Sequence, residues 1–168
     1  MVMSALFTNY IAVSKRLGLA FESGRIHGVL DGIALQMWFG TYATHVGALL
    51  SQAAPVDLSI ATKTLVGKLG ELFGGHSNQL GDPEFDKAFS VKASNVAQVA
   101  ALLNAEARKA LLEVEKEGLH PAVDAHSVHL RRFSASAIAD AEQTIERDFR
   151  EAARLARLVG NSFGAVNR

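Results

Sequence analysis

Any chemistry in this chain must come from oxygen and nitrogen groups, because its 168 residues include six histidines and no cysteine. Cys-ligated zinc, iron–sulfur clusters, disulfides and thiol nucleophiles are excluded at once. The tightest histidine group is His120, His126 and His129, and imidazoles suit either a divalent metal or general-base work. The spacing argues against convergence. Residues 126 and 129 of one strand face opposite ways unless a turn intervenes, and no helix-borne HExxH pattern is present. His27 and His45 fall in separate β-rich runs and meet only if a strand register brings them together.

The second cluster is acidic. Asp82, Glu84 and Asp86 alternate within Asp82-Pro83-Glu84-Phe85-Asp86, with His76 nearby, and alternating carboxylates can ligate a hard cation. The later glycine and the bidentate Glu of an EF-hand loop are missing. A structural reading is therefore preferred, in which the Asp82 oxygen accepts backbone N–H groups, Pro83 fixes φ, and Phe85 and Phe89 plug the core. No GxSxG elbow surrounds any serine. Gly70 to Gly75 lacks the Lys-Ser/Thr of a P-loop, and nothing fits GxGxxG. No catalytic residue, cofactor or metal site is assigned on these grounds. If a ligand site exists, His76, Asp82, Glu84 and Asp86 are its candidates.

The elements that must position these residues follow from periodicity. Leu6, Tyr10, Val13 and Leu17 mark a helix over 4–17 that stops at Gly18. Arg25 to Leu30, Asp31-Gly32, then Ile33 to Phe39 reads as a hairpin, since Asp-Gly between apolar runs favours a two-residue turn. Thr44 to Leu50 and Val56 to Thr62, with Pro55 between them, complete a four-stranded meander ending near residue 62. A helix over Leu65 to Phe73 closes at Gly74-Gly75. The turn at 82–86 leads into a strand over Ala88 to Lys92. Asn95 caps one helix and Asn104 restarts it, until Gly118 and Pro121 end the helical region. Ala122 to Phe133 holds one or two short strands. The last helix begins after Ser134 or Ser136 and carries Ile138, Ala141, Ile145, Phe149, Ala152, Ala156 and Val159 on one side, with Gly160 as its stop. Glu146 and Arg150 form an i,i+4 pair there, and the Arg147, Arg150, Arg154 and Arg157 stripe is neutralised by interleaved acids.

This order, αββββα-βα-ββα, is an α+β domain: an antiparallel sheet covered on one face by helices, with a long C-terminal helix. One domain spans 1–168, with an N-terminal helix at 1–18, a core at 19–160 and a loose tail at 161–168. Seventeen basic groups balance seventeen acidic ones, which removes the general electrostatic footprint of a nucleic-acid binder. No apolar run is long enough to cross a bilayer. Met1 to Val13 is apolar before Lys15-Arg16, the reverse of a secretory signal, so a soluble, cytoplasmic protein is expected.

The passage Gly81-Asp-Pro-Glu-Phe-Asp-Lys-Ala-Phe-Ser-Val91, with Leu102-Leu103 and Ala110-Leu111-Leu112 after it, resembles the GDPxFDxxF signature of an uncharacterised bacterial domain family. Lys87-Ala88 departs from the basic pair that follows the second Asp in that family. The resemblance implies a fold and a bacterial origin; it brings no established activity and no catalytic residue.

Function is then read from what the strands expose. Trp38 and Phe39 sit in one strand and point to opposite faces, so Met37-Trp38-Phe39 is the candidate contact surface. The expectation is a non-enzymatic module acting through self-association, a dimer being favoured, or through an unknown protein partner. The alternative is a small-molecule or metal-ion binding protein, possibly an enzyme, with an acidic site at Asp82 to Asp86.

Overall fold

The structure, a computed structural model, describes residues 2–40, 43–63, 78–133 and 141–165. The first helix, α1 (Val2–Leu17), ends at Gly18, whose φ of +68° is a left-handed stop that costs glycine nothing. Four strands then run up and down: β1 (Ala20–Glu22), β2 (Arg25–Leu30), β3 (Ile33–Phe39) and β4 (Ala43–Leu49). The β2–β3 hairpin has the limits expected from the sequence, and its turn is Asp31-Gly32 with φ of 51° and 80°. Two positive φ values in a two-residue loop match the right-handed twist of the strands. The meander is present, but its first member is Ala20–Glu22, joined to β2 through Ser23-Gly24, and its last is β4.

The strand expected to close the meander, β5 (Leu58–Thr62), lies elsewhere. After it come α2 (Pro83–Ala88), β6 (Phe89–Ala93), α3 (Val96–Leu102), α4 (Ala105–Lys116), β7 (Leu119–Asp124), β8 (Ser127–Phe133) and α5 (Ala141–Gly164). The eight strands stand in the order β1-β2-β3-β4-β8-β7-β5-β6, and every neighbouring pair is antiparallel. The late β7–β8 hairpin is thus inserted between β4 and β5. Its turn explains the detour: Leu50 N–H donates to His126 O (2.9 Å) and Ala54 N–H to Ala125 O (2.7 Å), so the chain leaving β4 passes around the hairpin tip before entering β5.

The expected turn at 82–86 is a short helix, α2. Asp82 caps it by accepting from Phe85 N–H, Pro83 occupies its first turn, and Phe85 and Phe89 stack in the core with centroids 4.5 Å apart. Asn95 and Asn104 cap α3 and α4 as read. The helix expected at 65–73 and the start expected at Ser134 or Ser136 lie outside the described residues.

Among the described residues the helices pack on one face of the sheet, with α5 across β3, β4 and β8, α4 on β7, and α1 against β1 and β2. Alternation along the strands sends Ile26, Leu35, Met37, Val46, Val128 and Leu130 to that face, where they meet Phe149, Ala152, Ala156 and Val159 of α5. Among the described residues the core holds one buried ion pair: Arg132 grips Asp148, which is 2% exposed, through Nε (2.8 Å) and Nη2 (2.6 Å). Two parallel charge-assisted bonds offset the desolvation of both groups and tie α5 to β8.

The last helix does not stop at Gly160 but continues to Gly164, so residues 161–164 belong to it and not to a loose tail. Both glycines face Ser51-Gln52 in the β4–β5 crossing. A Cβ on Gly160 would stand 2.3 Å from Ser51 Oγ and 2.8 Å from Gln52 N. Here glycine serves close approach of helix and loop, not helix termination.

Candidate functional site

The opposite face of the sheet carries no helix among the described residues. The same alternation that fills the core presents His27 and Val29 from β2, Gln36 and Trp38 from β3, and His45, Gly47 and Leu49 from β4. It also presents Ser127, His129, Arg131 and Phe133 from β8, with His120 from β7. Four of the six histidines therefore share one face with the only tryptophan. Val29, Leu49 and Phe133 are 62%, 56% and 49% exposed, an unusual apolar allowance for one side of a small sheet.

At the centre, Trp38 and His45 are direct cross-strand partners and stack with centroids 5.2 Å apart and planes 5° from parallel. His129, opposite Gly47 on the next strand, stacks on the other side of the cluster, 5.1 Å from Trp38. The indole edge passes over Gly47, where a Cβ would stand in ordinary contact with it at 3.6 Å. The two imidazoles face each other through His45 Nδ1 and His129 Nε2, 3.3 Å apart. Gly40 lets the His45 ring lie against the backbone, because a Cβ at that position would be 2.9 Å from Nε2.

Burial and neighbouring charge both disfavour protonation of these rings. Burial pushes the His45 pKa below the usual histidine value, and the Arg131 charge pushes the same way. For His129 burial acts first, then His45 and Arg131, while Asp124 opposes them without reversing the shift. His120 is also lowered by burial, with Glu115 opposing and Arg131 assisting; it leans on Phe133 at 5.3 Å. The Arg131 guanidinium lies over that same phenyl ring. Beside the cluster runs a groove of about 660 Å³, lined by His27, Val29, Gln36, Trp38, Leu49 and His129, with Asp124 and Ser127 at one end. That volume falls within the range of small-ligand sites.

The acidic candidates are dispersed. Asp82 caps α2 and stands 3.8 Å from Arg108, Glu84 pairs with Lys116 at 2.7 Å, and Asp86 accepts Leu80 and Gly81 N–H groups. Each carboxylate is engaged with a different partner, so the structure does not gather them into a site. His76 lies outside the described residues. Among those described, no three His, Asp or Glu side chains converge as metal ligands. His126 sits exposed in the β7–β8 turn, away from the face that holds His120 and His129. Of the Met37-Trp38-Phe39 surface, only Trp38 is on the helix-free face. Met37 is fully buried, and Phe39 lies on the helix side, its ring 6.4 Å from Tyr10.

The pairing of His45 with His129 escaped the sequence because it joins strands 84 residues apart. One signal was present: each imidazole is flanked by inward-facing residues, in Thr44-His45-Val46 and Val128-His129-Leu130, which marks it as an outward strand position.

No protein-family model matches the chain, and no curated protein matches its sequence. Among solved structures, the mycobacterial trehalose monomycolate transport factor A shares its fold, with a TM-score of 0.63 over 94% of both chains at 11% sequence identity.

Proposed function

We propose that this chain is a non-enzymatic binding module whose contact surface is the helix-free face of the sheet, and that a second copy of the chain is its partner. The observation that carries the reading is the stacked Trp38–His45–His129 cluster, half-buried and surrounded by exposed Val29, Leu49 and Phe133. Aromatic residues at the centre of an apolar patch with a polar rim are how protein contacts concentrate their energy. The rim holds both signs, Arg25 and Arg131 against Glu22 and Asp124, which suits a self-complementary two-fold contact. The likeness to a transport factor carries the fold alone and assigns no cargo to this chain.

Native mass spectrometry and sedimentation of the wild type should show a dimer. Leu49→Lys, placing a charge in the apolar surround of the cluster, should shift it to monomer with an unchanged circular dichroism spectrum, whereas Phe39→Ala on the other face should leave it dimeric. A wild type that is monomeric at high micromolar concentration would sink the reading. A second reading, a small apolar or aromatic ligand, is favoured by the groove beside Trp38, and a reproducible extra mass retained in the same native spectrum would select it. In that case the binding face stands and the occupant changes.

A further inference from the structure

We propose that His45 and His129 form a two-imidazole site for a divalent transition ion of borderline softness, such as zinc or nickel, on the helix-free face of the sheet. The geometry is specific. His45 Nδ1 and His129 Nε2 face each other across adjacent strands at 3.3 Å. Two ring nitrogens that both present lone pairs at that distance repel unless something positive lies between them, either one ring's own proton or a cation. Zinc–nitrogen bonds of about 2.0–2.1 Å meeting at a tetrahedral angle set their nitrogens roughly 3.3 Å apart. The rings therefore already stand at the separation that chelation requires.

Two neighbouring features support ligation. Trp38 stacks on both imidazoles and limits their rotation, so little side-chain freedom remains to be lost on binding. Gly40 brings the backbone up to the far nitrogen of His45, leaving Nδ1 directed toward its partner. Among the charged groups nearby, Asp124 attracts a cation; Arg131 repels one, but its guanidinium is drawn over Phe133. The pair supplies two donors, and His129 also lines the groove, from which water or the donor atoms of a bound molecule can complete the shell. This site does not depend on the dimer: it is complete as a chelating pair within one chain.

The single tryptophan makes the test direct. Nickel ions are titrated into the intact, chelator-free protein while Trp38 fluorescence is followed, and zinc is then added as a competitor. We expect saturable quenching at one nickel per chain, reversed by zinc. Losing even a supporting residue of a metal site costs about 10–100-fold in affinity, so His45→Gln and His129→Gln should each weaken binding by at least about tenfold. His126→Gln, in the exposed β7–β8 turn, should titrate as wild type. Linear, unsaturable quenching, or equal behaviour of all three variants, would overturn the proposal. Should either ligand variant fail to fold, equilibrium dialysis of the wild type against zinc decides: stoichiometric retention supports the site, and no retention overturns it.

Discussion

Asp124 shows how one side chain holds the structure on which the binding face depends. It closes the β7–β8 turn by accepting from the N–H groups of His126 (2.7 Å) and Ser127 (2.8 Å) and from the Ser127 hydroxyl (2.7 Å). Burial works against its ionisation, yet these three donors outweigh it and hold its pKa below the usual carboxylate range. A carboxyl with a depressed folded-state pKa stabilises the fold above its unfolded value and loses that contribution as pH falls through its folded one. Asp124→Ala should therefore cost about 1–2 kcal/mol at neutral pH. The gap between the two proteins should narrow below about pH 4 in urea titrations. A gap that stayed constant down to pH 2 would show that the charge is irrelevant.

Residues of this kind were readable where the chemistry is local. Asn95 and Asn104 cap helices within three residues of themselves, so their type and spacing were sufficient; Asp82 was read as accepting backbone N–H groups, but in a turn and not at the start of a helix. The Trp38–His45–His129 cluster was not readable, since it depends on which strands become neighbours.

At the scale of elements, local turn chemistry again decided what could be foreseen. Asp31-Gly32 and the helix stop at Gly18 were recognised, while Ser23-Gly24, an equally local pair of positive φ values, went unread because the strand before it has only three residues. Gly160 misled for a physical reason: glycine is favoured both at helix ends and wherever two backbones approach, and only the packing partner distinguishes the two uses. Here the partner is the crossing segment at Ser51-Gln52, to which Asn161 adds a side-chain hydrogen bond. Two effects of opposite sign meet in Gly160→Ala. The helix gains about 1 kcal/mol of propensity, but the added methyl meets a backbone nitrogen and overpacks the junction at a cost of about 1–3 kcal/mol. Because the obstacle is backbone, overpacking should win, and the variant should unfold at lower denaturant concentration than wild type. A more stable variant would mean that the crossing segment yields freely.

For the whole molecule, the α+β class, the antiparallel sheet, the one-sided helix layer and the long last helix were all legible, because each follows from hydrophobic period. Strand order was not, because a hydrophobic strand fits beside many neighbours and only loop paths choose among them. The same one-sidedness explains why the function reading points to the sheet. A layer of helices covers one face, and among the described residues the other carries no such layer, which leaves it free to meet water, another copy or a ligand. No described helix is long and apolar enough to cross a membrane.

The inserted hairpin also sets a schedule for synthesis. The chain is made from its N-terminus, so β4 and β5 emerge early, yet the strands that pair with their facing edges, β8 and β7, are made 84 and 61 residues later, counted from strand start to strand start. Until Phe133 has left the ribosome, two rows of unpaired N–H and C=O groups stand open to other nascent chains. A ribosome-bound chain stopped at Gly118 should therefore be protease-sensitive and captured by chaperones, whereas one extended past Gly164 should resist digestion; protection at Gly118 would mean the early strands find a provisional pairing. The protein becomes committed to its fold late in translation, when its penultimate segment slides into a gap prepared for it.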